Sequence, residues 1–447
     1  MHQVTSAASL RETEKSVPKP SSSYSRPVTK TIESLRVVGG AALAGEVSVL
    51  GAKNAALKLM VATLLAPGTH QLTNVPRNLD VEIMCDVLRH VGADCERDGT
   101  DLEVTVPESP LPEAPLELVR QMRASILILG TLLARTGEAR VALPGGDDFG
   151  SRPIDLHLNG LEAMGAVLDL RHGVLRATAP DGLHGADIYL DFPSVGATEN
   201  ILLAAVLAEG TTTIGNAARE PELTDLADYL RAMGAKIDGA GTSTVEVHGV
   251  PALEPSRHRV VPDRLEAGTY AAAAAMTAGQ VTVRDCRPEH LRMELTKLEA
   301  AGATVARGPD WFSVTGPERP EPIDFATLPF PGFHTDMHPQ MVSVLSIAGG
   351  TSIATENVYA ARFRYIGELN RMGAEIVTDG QHIIVKGVDD LSGCEVDGCD
   401  IRGAAALCIA GMRAEGVTTI VGAHHIDRGY DGFVEKITAL GADIQRV

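Results

Sequence analysis

The chain has 447 residues, 44% of them apolar and 4% aromatic, and a formal net charge of -19. That length exceeds one ordinary hydrophobic core and calls for two or more domains. The acid excess argues against nucleic acid as a partner, and the longest apolar runs, such as Ala271–Ala275, are far too short to cross a membrane.

Residues 1–33 are rich in Ser, Thr, Pro and Lys and lack the apolar centre of a secretory signal, so a disordered tail is expected. The cysteines 85, 95, 286, 394, 399 and 408 have no zinc-ribbon spacing. Free thiols in a reducing cytoplasm follow, with no metal and no cofactor.

Next comes Gly51-Ala52-Lys53-Asn54-Ala55-Ala56, where Lys53 and Asn54 open an otherwise apolar helix. A helix start offers N–H groups to an anion and the lysine adds a charge. A solvated first turn with a cap is the plainer alternative.

From Leu88 onward one pattern recurs six times: an amphipathic turn, Gly-Ala, then a strand-like run. The glycines are Gly92, Gly165, Gly234, Gly302, Gly373 and Gly441, about 70 residues apart. Each fits a helix C-terminus that ends in a left-handed residue. Small-residue helices ending in Gly68, Gly210 and Gly416 lead into Thr/Val-rich strands. Units this long exceed solenoid repeats. They fit two similar domains of three units each, with helices buried inside sheets, an α/β (α+β) fold.

Between the repeats, four polar segments depart from the pattern. Lys53-Asn54 is the first. The second, Pro144–His157, places three glycines in six residues, then Asp147, Asp148 and Arg152, reading as a mobile ligand loop or a long hairpin turn. The third, Phe333–Gln340, sets Asp336 between histidines just before a helix, where an N-cap is the plain role. The fourth joins Asp400-Ile401-Arg402 to His424–Tyr430. Its arginines suit phosphate or carboxylate oxygens, or surface ion pairs. His424 and His425 would point apart on a strand, which speaks against a metal.

Together these segments resemble the UDP-N-acetylglucosamine enolpyruvyl transferases, within the EPSP synthase superfamily. The likeness runs from about Leu35 to the C-terminus. It rests on Gly51–Ala56, Met122-Arg123-Ala124-Ser125, Leu143–His157, Ser194–Thr198, Asn216–Glu222 and His425–Tyr430. The resemblance implies two inside-out domains, residues 53–262 inserted between 34–52 and 263–447, with a mobile loop at 143–157 and a closing cleft. It implies transfer of the enolpyruvyl group of phosphoenolpyruvate to the 3-hydroxyl of UDP-N-acetylglucosamine, the first committed step of peptidoglycan precursor synthesis. Lys53, Arg123, Arg152, Arg402 and Arg428 would surround phosphoenolpyruvate. Asn54 and Asp336 would hold the sugar, with Asp336 beside the attacking hydroxyl. Arg152, Pro153, Ile154, Asp155 and Leu156, with Ser194, Val195 and Gly196, would contact the uridine and diphosphate. His157 would position the diphosphate, Val358 would touch the sugar nucleotide, and Asp400 would act near the enol carbon or its arginines. Asp147, Asp336, Lys53 and Arg402 form the implied catalytic set.

Several residues depart from the family pattern. Asp147 stands where most members carry a cysteine, so resistance to the epoxide fosfomycin is expected. Phe192-Pro193 replaces a pair that often begins with lysine, His334 replaces proline, and His338 replaces glutamine. Tyr359-Ala360-Ala361 lacks the usual Glu-Asn. These changes fall on the acceptor side and keep open a paralogue that acts on another uridine nucleotide in natural-product synthesis. The Ser194–Thr198 and 425–430 motifs match the nucleotide-sugar branch better than the shikimate branch. A pure binding protein is the third reading, and the retained Lys53, Arg123, Arg152, Asp336, Arg402 and Arg428 argue against it. Nothing in the sequence sets the oligomeric state.

Overall fold

The computed structural model describes residues 33–146, 153–359 and 361–447. The expectations for the tail before Glu33, for Asp147, Asp148 and Arg152, and for Ala360 lie outside the described residues.

Each of the six Gly-Ala glycines takes a left-handed conformation, with φ between 95° and 107°. A helix ends just before each glycine and a strand begins just after its alanine, as in Leu79–His90 and Asp94–Asp98, or Pro221–Ala232 and Lys236–Asp238. A Cβ at these positions would be strained, which explains why glycine recurs there.

The described strands form six small sheets, five of four strands and one of three. The four-stranded sheets repeat one order: a parallel pair, then two antiparallel pairings. Arg257–Arg259 runs parallel to Gly68–Thr73, which pairs antiparallel with Asp101–Val106, which pairs antiparallel with Asp94–Asp98. The three-stranded sheet, Glu138–Ala142, Val174–Thr178 and Val167–Arg171, keeps only a single parallel bridge, Glu113 to Arg140, where the others have a strand. The opening strands complete sheets built much later in the chain: Ser34–Val38 pairs with Val417–Val421, and Ala44–Ser48 with Gln280–Arg284.

The sheets pack around helices that are buried on nearly every face. All residues of Arg264–Met276 are buried, as are all but Asn54 of Lys53–Thr63. Such helices lack a polar side, so amphipathic periodicity cannot mark them. Their small residues, the run Ala271–Ala275 above all, allow close contact with His338–Leu345 and Ile401–Arg413. Buried apolar residues form two clusters, one from Ala52 to Val261, the other from Leu35–Val49 with Leu265–Ile444. The chain passes between them twice, side by side. Ala52 N–H donates to Val261 O at 2.7 Å, and Asp263 N–H to Leu50 O at 2.8 Å. Among the described residues no helix is long and apolar enough to cross a membrane.

Candidate active site

A cavity of about 560 Å³ opens where the two clusters face each other. Its wall contains Lys53, Asn54, Arg123, Pro153, Asp155, Leu156, His157, Ser194, Val195, Gly196, Asp336, Val358, Arg402 and Arg428. The structure therefore brings together most of the residues singled out from sequence, over a span of hundreds of positions. Two of them lie elsewhere. Ile154 packs into the apolar cluster, because one residue entering the helix Asp155–Ala163 must face inward. Asp400 caps the helix Ile401–Arg413: its Oδ1 accepts from the N–H groups of Arg402 and Gly403, each at 2.9 Å.

Lys53, Arg402 and Arg428 are each held by a carboxylate at this site. Asp80 joins two of them, accepting from Lys53 Nζ at 3.2 Å and from Arg428 Nε at 2.9 Å. Arg123 Nη2 donates to Pro153 O at 3.0 Å. The first-turn N–H of Lys53 is not open to an anion, as it donates to Asp263 Oδ2 at 3.2 Å. Asp263 Oδ1 meanwhile caps the helix Arg264–Met276 through Leu265 and Glu266. One aspartate thus fixes the starts of two helices at the double crossover.

Asp336 is not an N-cap. His334 takes that role, its Nδ1 accepting from Asp336 N–H at 2.9 Å. The carboxylate instead accepts from Arg362 Nη1 at 2.7 Å and Arg402 Nε at 3.2 Å. Burial works against its charge, yet the guanidinium groups of Arg362 and Arg402 outweigh this and hold the carboxyl well below the usual range. The Arg402 guanidinium lies 5.1 Å from the Tyr430 ring centre. Its Nη1 is buried with no hydrogen-bond partner among the described residues. A buried guanidinium N–H left unpaired is costly, and an anion's oxygen would satisfy it.

The opposite wall is built around His157. Asn200 Oδ1 accepts from Gly130 N–H at 2.9 Å, so its Nδ2 faces His157 Nδ1 at 3.1 Å. The imidazole must accept there and carry its proton on Nε2. Burial first, and the charge of Arg123 second, lower its pKa to about 3, so the ring is neutral at pH 7. A Cβ on Gly196 would sit 3.0 Å from His157 Cε1. Ser194 starts the helix Val195–Ala205, its hydroxyl accepting from Ala197 N–H at 3.3 Å.

A second charged set was given no role by sequence reasoning, although Glu220 and Glu222 fall in the Asn216–Glu222 motif. Lys58, about 7–8 Å along the helix from Lys53 by helical rise, pairs with Glu199 at 2.7 Å. Glu222 grips Arg264 with both oxygens, at 2.9 and 3.1 Å. Burial raises Glu199 to about 7 despite Lys58, whereas Arg264 overcomes burial and takes Glu222 down to about 2. Lys58, Glu199, Glu220, Glu222 and Arg264 all line the cavity. The signal was present: Lys58 and Glu199 are charged residues inside apolar helical runs. Asp80 and Arg362 carried no such mark.

His424–Gly429 forms a short helix, so the alternation expected of a strand does not apply. The two histidine rings stack with centres 4.2 Å apart. Among the described residues no group of His, Cys, Asp and Glu is placed to hold a metal.

The family model for EPSP synthase (3-phosphoshikimate 1-carboxyvinyltransferase) matches residues 37–437. The chain is 52% identical over 415 residues to a UDP-N-acetylglucosamine 1-carboxyvinyltransferase of Corynebacterium jeikeium, covering 93% of this chain and 99% of that protein. It is also 52% identical over 411 residues to the like-named protein of Mycobacterium tuberculosis, covering 92% and 98%. Among solved structures, the enolpyruvyl transferase NikO from Streptomyces tendae superposes with a TM-score of 0.84 at 26% identity, covering 93% of this chain and 99% of that one. An EPSP synthase from Acinetobacter baumannii shares the fold, with a TM-score of 0.69 at 20% identity, 93% and 100% covered. With a family model matched over nearly its whole length and half its residues shared with these relatives, the chain belongs to the EPSP synthase family, among the UDP-N-acetylglucosamine 1-carboxyvinyltransferases.

Proposed function

We propose that this enzyme transfers the enolpyruvyl group of phosphoenolpyruvate to the 3-hydroxyl of UDP-N-acetylglucosamine and releases phosphate, opening peptidoglycan precursor synthesis in the cytoplasm. The observation that carries the reading is Arg402, which holds Asp336 through Nε while Nη1 has no partner, in a cavity shared with Lys53, Arg123 and Arg428. A small, multiply charged enol ester needs such a cluster, and guanidinium groups suit its planar oxygens.

In the reaction the acceptor hydroxyl oxygen bonds to C2 of the enol while a proton adds to C3. The tetrahedral adduct then loses phosphate by cleavage of its C2–O bond, and the C3 proton leaves to restore the double bond. Asp336 accepts the hydroxyl proton. While both guanidinium groups stabilise its charge it is a weak base. Phosphoenolpyruvate drawing Arg402 away would raise its basicity, so base strength follows donor binding. The loop acid Asp147 handles the C3 proton, and Arg152 adds to the cation cluster.

We read residues 53–262 as one domain and 34–52 with 263–447 as the other, closing over the cavity to exclude water. Pro153, Asp155 and Leu156 take the uridine, while His157 and the helix start at Ser194–Gly196 take the diphosphate. Asn54 and Val358 contact the sugar, and Asp400 acts through the position of Arg402.

The test is a panel of uridine nucleotides with phosphoenolpyruvate, read by phosphate release. UDP-N-acetylglucosamine is expected to give the highest kcat/KM. Turnover with uridine monophosphate but not with the sugar nucleotide would move the enzyme to the natural-product reading.

A further inference from the structure

One cavity-lining side chain has no part in the scheme above. His334 is fixed at both ends of the residue. Its main-chain N–H donates to Glu294 Oε1 at 2.9 Å, and its ring Nδ1 accepts from Asp336 N–H at 2.9 Å. Because the hydrogen in the second bond belongs to the peptide, Nδ1 is bare. A neutral ring then carries its proton on Nε2. Burial, then the charge of Arg264, lowers the ring's pKa to about 3, so it stays neutral across the physiological range. No described residue accepts the Nε2–H, and His334 lies in the cavity wall.

The surroundings define what this donor can hold. His334 feels Arg264 and Glu222 from one charged set, and Asp336 and Arg362 from the other. Glu294, which holds its main chain, is a further carboxylate at the same place. A phosphate would be repelled by these carboxylates, and it has better partners at Lys53, Arg402 and Arg428. An uncharged oxygen takes a hydrogen bond from a neutral imidazole without that penalty.

We propose that His334 is a specificity-determining residue for the acceptor, its Nε2–H donating to a hydroxyl or amide oxygen next to the hydroxyl that attacks beside Asp336. The rigid link through Asp336 N–H sets the donor's position relative to the carboxylate. This assignment rests on the reading of the cavity as an acceptor-sugar site.

The test separates a hydrogen bond to the acceptor from a cap on the turn. His334→Ser keeps an oxygen able to accept from Asp336 N–H but removes the ring, whereas His334→Ala removes both. Both variants are expected to raise the KM for UDP-N-acetylglucosamine about tenfold, as one neutral hydrogen bond is worth, with the KM for phosphoenolpyruvate within about twofold of wild type. A normal acceptor KM in His334→Ser would overturn the proposal. Should the variants misfold, wild-type protein still decides it with acceptor analogues each lacking one sugar hydroxyl or the acetamido carbonyl. One analogue must lose about tenfold in affinity by calorimetry, and equal affinities throughout would overturn the proposal. A wild type that binds UDP-N-acetylglucosamine but never releases phosphate would sink the transfer reaction instead, and calorimetry on His334→Ser would still judge the hydrogen bond.

Discussion

Arg402 reaches Asp336 through Nε, 3.2 Å from Oδ2, and so joins the start of one buried helix to the turn before another. The pair couples the group proposed to clamp the donor to the group proposed to deprotonate the acceptor. Arg362 holds the other carboxylate oxygen and keeps it oriented when Arg402 turns to a ligand.

Replacing Asp336 by Asn keeps the size of the side chain and removes the base. Turnover is expected to fall by about 10²–10⁴. The KM for phosphoenolpyruvate should change far less, since the clamp cations remain. Steady-state kinetics with both substrates varied checks this, and a kcat within about threefold of wild type would rule Asp336 out as the base.

Gly196→Ala would put a Cβ 3.0 Å from His157 Cε1 and 3.2 Å from Nε2. The imidazole must shift by a few tenths of an ångström, and its other nitrogen is tied to Asn200. The expected result is a rise of about tenfold in acceptor KM with little change in thermal midpoint, as preorganised binding geometry is lost. Kinetics and calorimetric melting on the same preparation test both halves.

Fosfomycin is expected to leave the protein unmodified. No cysteine lies between residues 143 and 157. Cys399, two residues before the cavity-lining Ile401, is buried, and both burial and the Asp400 carboxylate push its thiol up, so little nucleophilic thiolate forms. Intact-mass measurement should show no adduct on wild type and one adduct on Asp147→Cys. Rapid inactivation of wild type with a loop adduct would contradict this.

His157 also predicts a pH effect on stability. Its folded pKa is about 3, against an ordinary value near 6.5. Above about pH 6.5 the ring is neutral in both states and adds no pH dependence. Below that the unfolded chain gains a proton that the folded protein refuses. Stability therefore falls as pH falls, by about 1.4 kcal/mol per unit for this group, until pH approaches its folded pKa. Urea titrations between about pH 6.5 and 5 should show a shallower loss for His157→Gln than for wild type. Equal slopes would mean that the folded ring gains its proton at the same pH as the unfolded chain, so that burial does not lower its pKa.

Much of this architecture was legible because it is written locally. A left-handed glycine after each amphipathic helix needs no distant partner, so Gly92 through Gly441 reveal the repeat and with it the six small sheets. Charged residues within apolar runs, such as Lys53, also stand out. What stayed hidden depends on partners far along the chain. Asp80 reads as an ordinary first-turn acid until Arg428, 348 residues away, arrives beside it. Asp336 has the spacing of a cap, and only the folded positions of Arg362 and Arg402 reveal an ion-pair cluster. Ile154 and Asp400 mark the opposite limit. A motif supplies consecutive residues, but helix entry and capping geometry decide which of them face the cavity.

The most direct measurement follows phosphoenolpyruvate isotopically labelled at C2 as wild-type enzyme turns over with UDP-N-acetylglucosamine. Carbon and phosphorus NMR should show one phosphate released for each labelled carboxyvinyl ether formed at the sugar 3-oxygen. Labelled free pyruvate in step with phosphate, or no phosphate at all, would contradict the account.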